Sequence, residues 1–227
     1  MLNTPPNNNV PSREDVDDIG HDHIMTSYDT PLRVDAFEMD DEIKIELIEK
    51  HFQHIMEILG LDMTDDSLKG TPRRVAKMFV QENFSGLNPD NKPGVTLFDN
   101  KYNYNQMLVE KDITVFSNCE HHFVPIYGKA HVAYISSGQV IGLSKLNRIV
   151  QYYSKRPQVQ ERLTVQIANE LREVLKTDDV AVVIDAQHMC VQSRGIQDTC
   201  SSTITSYYGG KFENEGTKKE FLSYLGM

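Results

Sequence analysis

Cys119 and His122 are separated by two residues in the run Cys119-Glu120-His121-His122, a spacing that lets a thiolate and an imidazole from one tight loop reach the same Zn²⁺. Two ligands do not make a site. A structural zinc takes four protein ligands, whereas a catalytic zinc takes three and keeps one position for water, so the third ligand matters. The other thiols are Cys190 and Cys200. His188 and Cys190 are two apart on an expected strand and so share a face, which puts His188 in the pocket of any metal that Cys190 holds. That favours Cys190. Cys200 opens a Ser/Thr-rich strand and reads as a small buried filler. The plainer alternative for the first pair is a packed cysteine beside a hydrogen-bonded histidine.

A second signal is electrostatic. From Ser144 to Arg156 the chain carries Lys145, Arg148, Lys155 and Arg156 and no acid. Lys145 and Arg148 fall in the first turns of an expected helix with Ser144 as N-cap, where free N–H groups and the helix dipole favour an anion such as phosphate. An ordinary solvated face is the other reading. Arg74, Lys77 and Arg194 add cations that spacing alone cannot bring together. Gln160 and Glu161 open a long helix, where a carboxylate either complements the dipole or accepts two N–H donors from a guanine edge. No G-x-x-x-x-G-K-[ST] loop, G-x-G-x-x-G turn or H-x-E…P-C-x-x-C deaminase pattern occurs, so a P-loop, a Rossmann turn and that deaminase chemistry are excluded.

The elements that must position these residues belong to a chain of 227 residues, long enough to bury one sizeable core without disulfides. Its net charge of -10 argues against a general nucleic-acid binder. Neither an apolar span of membrane length nor a leader pattern is visible, so a soluble, cytoplasmic protein with no membrane partner is expected. Three widely spaced cysteines fit a reducing compartment. Residues 1–35 hold seven acids and two bases, with Pro5, Pro6, Pro11 and Pro31, and read as a disordered acidic tail before one domain over 36–227. His21 and His23 within that tail read as solvated.

Helical spacing of Ile45, Ile48, Phe52, Ile55, Met56 and Leu59 predicts a helix from Asp40 that stops at Gly60. A second is announced by Thr71 as N-cap and Pro72. Residues 86–110 read as loop with one short strand. Strands are expected over 113–116 and 123–135, then helices over 144–153 and after Pro157, then a pair of antiparallel strands over 179–184 and 201–207. A last helix begins at a capping box formed by Thr217 and Glu220 and stops at Gly226. This order predicts an α+β fold, an antiparallel sheet with helices packed on one face.

Several segments together carry a resemblance. They are Thr71-Pro72-Arg73-Arg74-Val75-Ala76-Lys77-Met78, Cys119-Glu120-His121-His122-Phe123-Val124-Pro125, Ile141-Gly142-Leu143-Ser144-Lys145-Leu146, Arg156-Pro157-Gln158-Val159-Gln160-Glu161-Arg162-Leu163-Thr164, His188-Met189-Cys190 and Ser193-Arg194-Gly195-Ile196. The chain closely resembles the GTP cyclohydrolase I family across residues 40–225. The resemblance implies a tunnelling fold (T-fold), in which subunits pool strands into an oligomeric barrel, usually a homodecamer of two pentamers. It implies Zn²⁺ on Cys119, His122 and Cys190, His121 and His188 at the reacting centre, and guanine at Gln160 and Glu161. Ser144, Lys145, Arg148 and Arg194, with Arg74 and Lys77 from a neighbouring subunit, would hold the triphosphate. The implied reaction is hydrolysis of GTP at guanine C8, with formate release and rearrangement to 7,8-dihydroneopterin triphosphate, the first step of folate and pterin synthesis. Gln197 departs from the pattern, standing where some relatives carry an arginine, and Cys200 has no family role.

Overall fold

The computed structural model describes residues 27–227; residues 1–26, with His21 and His23 and most of the expected tail, lie outside the described residues. A five-stranded sheet organises the chain. Its strands are β2 (Met107–Cys119), β3 (Pro125–Ile135), β5 (Pro157–Gln158), β6 (Val180–His188) and β7 (Thr203–Tyr208), in the order β5-β2-β3-β6-β7. The four long strands run antiparallel, and β5 lies parallel to the end of β2. A small ribbon pairs β1 (Leu97–Asp99) with β4 (Gln139–Ile141). The α+β class is as expected.

Alternation along the strands decides which side each residue faces. Val180, Val182, Ile184 and Ala186 of β6 join Ala130, Val132 and Tyr134 of β3 in the main core. Against that face pack α3 (Leu143–Ser154) and α4 (Gln160–Leu175). Leu163, Ile167, Leu171 and Leu175 of α4 recur every four residues and are all buried, each contributing about 1.5–3 kcal/mol. The opposite face is not bare. Ala133, Ile135, Ala181 and Val183 lie under Phe212 and Phe221, the latter on α6 (Glu215–Leu225). The expectation of helices on one face therefore holds for α3 and α4 and is corrected by α6. Burial on both sides explains the unbroken apolar run Val180-Ala181-Val182-Val183-Ile184.

Outside the sheet, α1 (Asp41–Ile58) and α2 (Thr71–Lys77) pack on each other, and α2 continues as a π-helical turn over Met78–Asn83. A 3₁₀ turn, Ser85–Leu87, then joins this pair to α3. Gly86 makes that join possible, since a Cβ there would lie 2.0 Å from the Tyr152 carbonyl oxygen.

Three helix starts differ from the sequence reading. Gly70 rather than Thr71 occupies the N-cap of α2, and Gly142 rather than Ser144 that of α3. Asn214 caps α6 by accepting from the Gly216 N–H, leaving Thr217 inside the first turn. Contacts with the domain also begin ahead of the boundary expected at residue 35. Asp29 pairs with Arg156 at 3.0 Å, and the Ser27 carbonyl accepts from Arg162 Nε at 2.9 Å. Polar contacts of this kind leave no apolar periodicity to read.

Candidate functional site

The turn between β2 and β3 carries Cys119, His121 and His122. It closes through Cys119 N–H to Val124 O at 2.8 Å and Phe123 N–H to Cys119 O at 2.8 Å, with Phe123 at φ 54°. β5 pins it from the side, because the Glu120 N–H donates to Gln158 O at 3.0 Å. β6 ends at His188, and the helical turn α5 (Met189–Gln192) swings Cys190 towards the same place. The ligand atoms of Cys119, His122 and Cys190 all lie within 4.8 Å of one another. Both His121 Nδ1 and His122 Nδ1 are 3.7 Å from Cys119 Sγ. Cys200, expected as a small buried filler opening a strand, is instead exposed ahead of β7 and stands outside the cluster.

The strand expected to carry both His188 and Cys190 does not extend to Cys190. His188 and Cys190 do not share a strand face, since the strand stops at His188. Cys190 reaches the cluster because the chain turns helical there.

Two thiols and one imidazole make a soft, three-member donor set that can hold a metal ion and fits the ligand number of an open zinc site. Burial, and then the Cys119 thiol beside it, push the Cys190 thiol up to about 11. Desolvation lowers the His122 ring, and the Arg194 guanidinium, with Nη1 2.6 Å from His122 Nε2, lowers it further.

A second group adjoins the first. Gln160 and Glu161 form the first turn of α4, whose N-cap, Val159, offers no side-chain acceptor. The turn therefore keeps free N–H groups, which suit an electron-rich ligand. Glu161 is exposed and Gln160 buried. Gln160 Oε1 lies 2.8 Å from His188 Nε2. Burial lowers the His188 ring, and the Glu161 charge opposes that shift.

Among the expected phosphate ligands, Ser144 and Arg148 are exposed on α3 and Lys145 is half-buried. Among the described residues, Lys77, Lys145 and Arg148 have no acidic partner within ion-pair distance. Arg74 turns back towards the start of its own helix and the turn before it, donating to Thr71 Oγ1 at 2.9 Å and Ser67 O at 3.2 Å. Among the described residues, no hydrogen bond or ion pair joins Arg74 or Lys77 to the Cys-His-Cys cluster. Arg194, by contrast, touches it. Arg156, part of the cationic window, is structural: it lies 4.7 Å from the centres of both the Tyr152 and Tyr153 rings and donates to Gly86 O at 2.8 Å.

Sequence reasoning missed one supporting pair. Arg162 holds Glu120, the residue between Cys119 and His121, through both carboxylate oxygens at 2.6 and 3.2 Å. The available signal was an arginine next to the buried stripe of α4.

A family model described as GTP cyclohydrolase I matches residues 48–226. The chain belongs to the GTP cyclohydrolase I family. GTP cyclohydrolase 1 of Flavobacterium johnsoniae is 62% identical over 212 residues, covering 93% of this chain and 95% of its own. GTP cyclohydrolase 1 of Citrobacter koseri is 53% identical over 200 residues, covering 88% and 90%. A far weaker likeness is to the crystal structure of the archaeosine synthase QueF-Like in the apo form. It has a TM-score of 0.39 and 16% identity, covering 46% of this chain and 93% of that one. Members of the family are enzymes, and the Cys-His-Cys cluster lies inside the matched region.

Proposed function

We propose that this chain hydrolyses GTP at guanine C8, in a zinc-dependent reaction that releases formate and rearranges the remainder to 7,8-dihydroneopterin triphosphate, opening folate and pterin synthesis. The observation that carries this reading is the convergence of Cys119, His122 and Cys190, with His121 against Cys119 and His188 at the end of the strand that leads to Cys190. When bound by those three residues, Zn²⁺ supplies Lewis acidity, which lowers the pKa of water from 15.7 towards ~7.

The chain's own residues supply the rest. The exposed Glu161 carboxylate accepts two N–H donors from the guanine edge. Gln160, beside it, offers its first-turn backbone N–H. His121 delivers a proton to the imidazole nitrogen of the base as that ring opens, and His188 assists opening of the ribose. Ser144, Lys145, Arg148 and Arg194 anchor the triphosphate, joined by Arg74 and Lys77 of a neighbouring subunit. This local clustering outweighs the net charge of -10.

Assembly into a T-fold barrel, a homodecamer of two pentamers, is part of the proposal. It is supported by β7, an edge strand whose outward Ile204 is 57% exposed, since an open edge is a template for pairing with another chain. We place the enzyme in the cytoplasm, with residues 36–227 as its catalytic domain. Among the described residues, no helix is long and apolar enough to cross a membrane.

The deciding experiment incubates the zinc-loaded protein with GTP and measures formate together with the fluorescence of the oxidised pterin. Both are expected from the unaltered chain. His121→Ala should keep its zinc and lose turnover; unchanged formate production would reject the proton-donor role.

A further inference from the structure

Gln160 is 2% exposed, and both ends of its amide are engaged. Its Nε2 donates to Thr203 O at 2.8 Å, to Ile184 O at 3.1 Å and to Thr205 Oγ1 at 3.1 Å. Its Oε1 faces His188 Nε2 at 2.8 Å. Main-chain carbonyls only accept, so the nitrogen end must face β6 and β7 and the oxygen end must face the imidazole. Turning the amide over would set its oxygen against the Ile184 and Thr203 carbonyl oxygens and forfeit both hydrogen bonds. The threonine hydroxyls keep the same polarity. Thr164 Oγ1 donates its hydrogen to the Gln160 carbonyl at 2.9 Å, so at 2.7 Å it accepts from Thr205 Oγ1, which itself accepts from the Gln160 amide. The direction of every hydrogen in this chain is set by backbone carbonyls and not by the histidine.

We propose that Gln160 is a positioning residue that fixes neutral His188 as its Nε2–H tautomer, leaving the lone pair on Nδ1, the nitrogen presented to the substrate. Oε1 can only accept, so Nε2 must carry a hydrogen. Among the described residues, Nδ1 has no partner competing for it. The inference rests on the reading of His188 as a reacting histidine. It also gives the Gln160 side chain a task other than contact with guanine, for which its backbone N–H and Glu161 remain.

The first test is substrate-free. Long-range ¹H–¹⁵N spectra of the zinc-loaded full chain, labelled at histidine, are recorded with the ring neutral, and His188 is assigned by its disappearance in His188→Gln. An Nε2–H pattern is expected; an Nδ1–H pattern overturns the proposal. The second test is kinetic. Gln160→Met keeps the volume and removes the polarity, so kcat should fall by about 10-fold or more while KM for GTP stays within about threefold and zinc content is unchanged. A raised KM with unaltered kcat overturns the proposal, because it marks the side chain as part of base binding. Thr205→Val leaves Gln160 in place and removes one acceptor. It should lower kcat by a smaller factor, and wild-type kcat in that variant would also refute the hydrogen-bond chain, even if Gln160→Met fails to fold. A chain that releases no formate from GTP refutes the proposed activity, whereas the spectra read the tautomer either way.

Discussion

At the residue scale, the cluster is a set of protons waiting to be exchanged. With Cys190 pushed up to about 11, its thiol stays protonated near neutrality in the metal-free chain. A divalent ion must displace that proton, so binding releases protons and tightens as pH rises. Cys190→Ser should lose most bound zinc and, with it, formate release, while Cys200→Ser should retain both. Metal analysis alongside the formate assay checks this, and the opposite pattern would move the third ligand to Cys200. The Cys-His-Cys cluster was legible in part because Cys119 and His122 lie in one short loop. The spacing of His188 and Cys190 suggests a shared strand face that does not exist, and the α5 turn that delivers Cys190 has only four residues, too few to leave a period. The role of Glu120 was not legible, because its partner Arg162 lies 42 residues away and only the folded chain brings them together.

At the element scale, long periodic segments read well and their ends less so. The stripes of α1 and α4 announce themselves, yet Thr71, Ser144 and Thr217 each read as caps or capping-box residues where a residue one to three positions earlier does that work. Glycine at two of those caps offers no side-chain signal, and Asn214 is an equally good capping type. β2 was expected from Ile113 and begins at Met107, because a register shift between Glu110 and Ile113 breaks the alternation. His131 stabilises that irregularity: its Nδ1 accepts from the Asp112 N–H at 3.1 Å, where Asp112 adopts φ 62°. Burial is the main reason its ring is held below the usual 6.5. Between the lowered folded value and 6.5 the unfolded chain binds the extra proton, so stability rises with pH across that window and declines as pH falls below about 6.5. His131→Gln can still accept the Asp112 N–H and cannot be charged. Urea midpoints measured from about pH 5 to pH 7.5 should slope less in this variant than in the parent, and parallel slopes would clear His131 of the effect.

At the scale of the whole molecule, contacts distant in sequence tie the segment before α1 to the sheet's helices. Arg156 reaches Asp29 across 127 residues, and Gln166 donates to the same carboxylate oxygen. Composition gave residues 27–35 to the tail, since no count of apolar side chains registers a buried guanidinium in need of an anion. Asp29→Ala should reduce unfolding free energy by about 1–2 kcal/mol, below the full worth of a charged hydrogen bond because the carboxylate itself is exposed. Denaturant unfolding of the full chain measures it, and an unshifted midpoint would show that the segment rests on the domain without supporting it.

Helix α4 joins two tasks that chemistry keeps separate. Glu161 stands exposed on its first turn, and the very next side chain, Arg162, grips Glu120 in the sulfur-bearing loop. The helix is thus a common lever: any tilt that withdraws the carboxylate drags the loop along. Under the proposed activity, choosing the base and readying the nucleophile are geared together, so an ill-fitting purine that displaces this rod would spoil both at once.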